Sequence, residues 1–108
     1  MIEKIYNIKE SQTKLVEKLI DDEHVVINHM VLPKDTNLPE HYANSHVYLV
    51  VLKGCMSITL EEQDVNYYVE GTIVNVPFNT KMFIQNKHHD LLEFLVIKAP
   101  NPRDMVEK

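Results

Sequence analysis

The 108-residue chain carries 11 basic and 16 acidic side chains, a net charge of −5 with histidine neutral, two glycines and one cysteine. Two isolated glycines, Gly54 and Gly71, exclude the clustered-glycine loops that cradle nucleotide phosphates, and the lone Cys55 excludes an internal disulfide or a multi-cysteine zinc site. Scattered lysines on an acidic chain argue against nucleic acid as partner; the opening MIEKIYNIKE lacks a leader's basic start and apolar run, and no apolar stretch approaches the roughly 18 residues of a membrane span, so the expectation is a single domain over residues 1–108, cytoplasmic, with no membrane contact.

In chain order, the pattern is that of an all-β protein. The first periodic stretch, Ser11–Ile20 (SQTKLVEKLI), has two readings. Leu15, Val16 and Leu19 could form one face of a helix, or Lys14–Ile20 could be a strand paired with the next through the acidic turn Asp21-Asp22; the strand is favoured. Strands are then expected at His24–Leu32, Val47–Lys53, Cys55–Glu61, Val65–Val69, Ile73–Val76, Lys81–Gln85 and Leu91–Lys98, all rich in β-branched and aromatic residues. Turn-forming clusters separate them at Pro33 to Pro39, Gly54, Gln63-Asp64, Glu70-Gly71, Pro77 to Asn79 and Asn86 to Asp90. Many short strands at this spacing predict a sandwich or barrel, not alternating βα units. Residues 101–108 are polar and proline-bounded, and a loose tail is expected there. Val47–Leu52 and Leu91–Ile97 are nearly continuous apolar runs, whereas a strand with one wet face should alternate. Coverage by a second subunit, hence a homodimer, is the expectation they raise.

Residues 35–86 resemble the two signature motifs of the cupin family. The first, G-x5-H-x-H-x3,4-E-x6-G, runs over residues 35–54 through Asp35, His41, Ala43, Val47 and Gly54. The second, G-x5-P-x-G-x2-H-x3-N, runs over residues 71–86 through Gly71, Pro77, Asn79, Met82 and Asn86. The resemblance implies a cupin-type double-stranded β-helix, a jelly-roll barrel. Two glycine positions hold Asp35 and Asn79, residue types that tolerate left-handed turns. Family metal ligands would stand at 41, 43, 47 and 82, and only His41 remains of them. Alanine and valine coordinate nothing, and the thioether of Met82 suits copper(I) far better than iron, manganese, nickel or zinc. No cofactor is therefore expected, the alternative being a weakly bound divalent metal at His41 and His46, were a one-residue slip to turn His46 inward.

The segment HYANSHVY, His41–Tyr48, is dense in hydrogen-bonding groups at the mouth of an apolar strand. Pockets for small molecules combine an apolar wall with a few convergent polar groups. The candidate ligand-binding residues are His41, Asn44, Tyr48 and Met82, with Met82 filling the space of a metal. Catalytic residues are unassigned. Glu93, on an apolar strand, is the carboxylate that could serve proton transfer if it faces the barrel. Lys81 should point outward, and Lys98 should snorkel or pair with an acid. His88-His89-Asp90 reads as a hairpin tip, Cys55 as a small buried residue, and His24 and His29 as facing opposite ways. The expected function is binding or sensing of a small organic ligand without the usual metal chemistry. The alternatives are a cupin enzyme of oxygenase or isomerase type with an atypical His41/His46 site, or a structural dimeric barrel with a vestigial pocket.

Overall fold

The computed structural model describes residues 1–106. Its strands are β1 (Leu15–Asp21), β2 (Val26–Pro33), β3 (His41–Tyr42), β4 (His46–Lys53), β5 (Cys55–Leu60), β6 (Asn66–Val69), β7 (Ile73–Val76), β8 (Lys81–Gln85) and β9 (Leu91–Ala99). The stretch left between strand and helix is strand β1, and β3 is a two-residue strand that the composition did not signal. One sheet has the order β1-β2-β9-β4-β7 and the other β3-β8-β5-β6, with every neighbouring pair antiparallel. Placing β9 between β2 and β4, and β8 between β3 and β5, is the interleaving of a jelly roll: a double-stranded β-helix.

Period-two alternation builds the core. On β4, Val47, Leu49 and Val51 point inward and are fully buried. Their partners on β9 are Lys98, Val96 and Phe94. Phe94 sits with Leu32, Met56, Ile58, Ile84 and Leu92 in one aliphatic cluster between the sheets. The two apolar runs therefore alternate after all, and their outward residues Tyr48, Val50, Leu95 and Ile97 are half-buried or exposed.

The motif turns behave as their residue types dictate. Asp35 and Asn79 both adopt φ of 65°, the left-handed conformation that the replaced glycines would take. Asn86 is buried and ties three segments together. Its Nδ2 donates to the carbonyls of Leu32 and His89, and its Oδ1 accepts from the N–H groups of His88 and His89. After β9 the chain docks instead of hanging loose. Buried Asn101 donates to Asp21 Oδ1 at 2.7 Å and to the Asp22 carbonyl, Ser45 Oγ donates to the Pro100 carbonyl, and a short 3-10 turn covers Pro102–Asp104. The Asn101 bond holds the Asp21 carboxyl below its usual range.

Gly54 and Gly71 have φ of 87° and 88°, so both resist side chains. Only Gly54 is also hemmed in: a Cβ there would collide with the Leu91 carbonyl oxygen, whereas Gly71 faces open space. Gly54→Ala is expected to cost about 3 kcal/mol or more and Gly71→Ala about 1 kcal/mol, read as denaturant midpoints at constant slope; equal costs would contradict the close approach at Gly54.

Candidate functional site

Antiparallel register places His41 opposite Met82, so the two share the inward face of the smaller sheet. Met82 enters the core, while His41 stays exposed at the rim and its Nδ1–H donates to the Pro39 carbonyl at 2.8 Å. Ala43, Val47 and Met82 are 2%, 0% and 2% exposed and belong to the same apolar cluster. Two of these side chains have no lone pair to offer, and the third offers a soft sulfur. The residues present at the four ligand positions do not fit a cupin metal. Among the described residues no three His, Cys, Asp or Glu side chains are grouped to hold a metal elsewhere.

The facing sheet contributes the polar part of this end of the barrel. Lys98 on β9 pairs with Val26 on one side and Val47 on the other, both buried, which aims Lys98 inward beside the position of a lost ligand. It is half-buried. Desolvation, and then the like charge of Lys18, push its ammonium below the usual lysine range. One inward step along β2, Asn28 lies between Lys18 and Val96, and its Oδ1 is buried without a hydrogen-bond partner. No described carboxylate forms an ion pair with Lys98; Lys18 pairs with Asp21 at 3.4 Å.

The other sequence candidates are not gathered here. Tyr48 lies on the outward face, opposite Ile97 and Asn75, because it is one residue from inward Val47. His46 is turned outward by the same alternation, so it cannot join His41 in a metal site. Asn44 is exposed in the loop before β4. Of the four proposed ligand residues, only His41 and Met82 are brought side by side. Lys81 does point outward, to Glu62 at 3.2 Å, and Cys55 is buried.

Glu93 does not face the barrel. It projects outward and meets His29 Nε2 at 2.7 Å, while Glu17 lies 3.1 Å from His29 Nδ1. The imidazole is fully buried and held between two carboxylates from neighbouring strands. Sequence reading had left His29 without a partner. Part of the signal was present, since Glu93 is the one acid on β9. Two described cavities, of ≈ 170 and ≈ 350 Å³, lie on this outer side around Gln12, Lys53 and Leu91, away from His41 and Met82.

Among known proteins, the uncharacterised protein MJ0764 of Methanocaldococcus jannaschii is 55% identical over 106 residues, spanning 97% of this chain and 91% of its own. Its crystal structure, described as an RmlC-like cupin family protein with a double-stranded β-helix fold, superposes with a TM-score of 0.92 over 95% of each chain, at 56% identity. The chain belongs to the cupin family. More distant cupins share the fold alone: a cupin superfamily protein of Desulfitobacterium hafniense has a TM-score of 0.74 at 18% identity, over 87% of this chain and 84% of its own. The cupin domain of Cnp3 from Schizosaccharomyces pombe gives 0.76 at 13%, over 90% and 72%. No family model matches the sequence.

Core and rim should respond differently to truncation. Met82→Ala is expected to cost about 2–5 kcal/mol, and His41→Ala within about 0.5 kcal/mol. His29→Leu, which leaves two carboxylates facing each other, should cost about 3 kcal/mol. Chemical denaturation of the three variants checks the order, and a large loss from His41→Ala would show that the rim histidine is structural.

Proposed function

We propose that this cupin barrel binds a small organic anion without a metal, at the end of the barrel where His41 and Lys98 rise from facing sheets over an apolar floor of Val47 and Met82. The observation that carries the reading is Lys98. A half-buried ammonium with a second cation as its nearest charged influence is costly in the protein alone. A carboxylate or phosphate group would offset that cost. Retention of the fold, with apolar packing in place of ligands, supports binding or sensing over metal-centred chemistry.

The site should show a stability–function trade-off. Lys98→Met removes the desolvated charge, so the unliganded variant is expected to be at least as stable as the parent at neutral pH. The sign follows from linkage. The folded-state pKa of Lys98 lies below its ordinary value of 10.5, so the unfolded chain holds more protons in the window between them. Stability therefore gains as pH rises through that window, and the gain should vanish in Lys98→Met.

Binding is tested by scanning calorimetry with acetate, malonate, benzoate and inorganic phosphate, each at about 10 mM. At least one should raise the midpoint by about 4 °C or more, with the rise lost in Lys98→Met. No rise with any of the four, or a rise that persists in Lys98→Met, would overturn the reading.

A further inference from the structure

The end of the barrel far from Lys98 carries a second group of charges that the anion site does not use. Lys98 pairs with Val47 near the start of β4, and Lys53 ends that strand, about 20 Å further along at the usual rise per residue. Register pairs Lys53 with Glu93, and Glu93 with Val31. Two adjoining cavities open over this corner. The smaller, of ≈ 170 Å³, is walled by Glu10 and Glu93, and the larger, of ≈ 350 Å³, by Glu70 and Asp90; Gln12, Lys53 and Leu91 line both.

The walls are held from behind. Buried His29 fixes the Glu93 carboxylate at 2.7 Å. The loop that carries Asp90 is anchored twice: Asn86 Nδ2 donates to the His89 carbonyl, and the Lys34 N–H donates to the Asp90 carbonyl at 3.1 Å. The charges themselves are not spent on one another. Among the described residues Lys53 lies in no ion pair, and neither do Glu10, Glu70 and Asp90. Along the joined cavities the order is therefore acid, ammonium, acid, with Lys53 in the shared part and Leu91 as an apolar contact beside it.

We propose that these joined cavities bind a basic α-amino acid of the lysine or ornithine type. The complement of acid, ammonium, acid is ammonium, carboxylate, ammonium, and a diamino acid has its charges in that order. Its α-ammonium would lie between Glu10 and Glu93, its carboxylate on Lys53 and the Gln12 amide, its methylenes along Leu91, and its terminal ammonium between Glu70 and Asp90. Four carboxylates against one ammonium select a ligand of net positive charge. Lys53 at the junction works against a polyamine, which would set a cation or bare methylenes there and leave the lysine unpaired. The space is adequate, since the larger cavity alone falls within the roughly 300–1,000 Å³ of small-molecule pockets. This site is separate from the anion site and does not depend on it.

Isothermal titration calorimetry of the full chain tests the proposal, at neutral pH and about 20 mM salt so that exposed charges are little screened. L-lysine or L-ornithine is expected to bind with a dissociation constant of about 1 mM or tighter. Cadaverine, 6-aminohexanoate and L-norleucine each lack one of the three charges of lysine, and each should bind at least about fivefold more weakly. Lys53→Gln and Glu70→Gln should weaken L-lysine by a similar factor; both positions are exposed, so the variants should fold as the parent does. Lys98→Met should leave L-lysine binding as it is. No binding of either diamino acid up to about 10 mM would overturn the proposal. So would an analogue that binds as well as L-lysine, affinity unchanged in Lys53→Gln, or affinity lost in Lys98→Met, which would put the ligand at the other end of the barrel.

Discussion

Aliphatic packing of Ala43, Val47 and Met82 in the throat of the barrel is the constraint on which the rest of this structure depends. At those three positions the family places groups that must be solvated or coordinated, and such groups keep a barrel open. Here the same positions join Leu49, Val76 and Phe94 in one buried cluster, so the two sheets meet through continuous apolar contact. Burying three side chains of this kind contributes several kcal/mol, of the order of a small domain's whole net stability. At three of the positions where the family's metal ligands would stand, this chain has core.

That displacement orders the remaining polar groups by face. On the inward side, His41 and Lys98 flank the sealed floor from opposite sheets. On the outward side, His29 ties β1 and β9 together through Glu17 and Glu93. The two sides thus offer different surfaces. One is a rim that carries His41 and Lys98, and the other is a face that carries Ile27, Leu95 and Ile97. Neither requires the other, although both follow from the alternation of the same strands, β4 and β9.

Much of this was legible in the sequence where a residue type answers to a local backbone demand. Asp35 and Asn79 stand at positive φ where glycine would, and Gly54 and Gly71 sit at the turns expected of them. Lost ligands were legible for the same reason, because a missing donor is visible without coordinates for its neighbours. Tyr48 and Asn44 were grouped with His41 by nearness along the chain, although period two already separates Tyr48 from inward Val47. His29 was not legible alone, since its partners come from strands 12 and 64 residues away. Lys98 was legible as a lysine ending an apolar strand; that it points inward depends on the register with Val26 and Val47, which only pairing fixes. Docking of the tail through Asn101 was hidden by a polar composition that resembles that of a loose end.

The central claim is that the throat is apolar core and holds no metal. Its most direct test is the metal content of untagged protein, dialysed against manganese, iron(II), nickel and zinc in turn and measured by plasma mass spectrometry. The account predicts less than about 0.1 equivalent of any metal per chain, unchanged by His41→Ala. Near-stoichiometric metal that disappears in His41→Ala would contradict it, since a built protein site fills close to one equivalent.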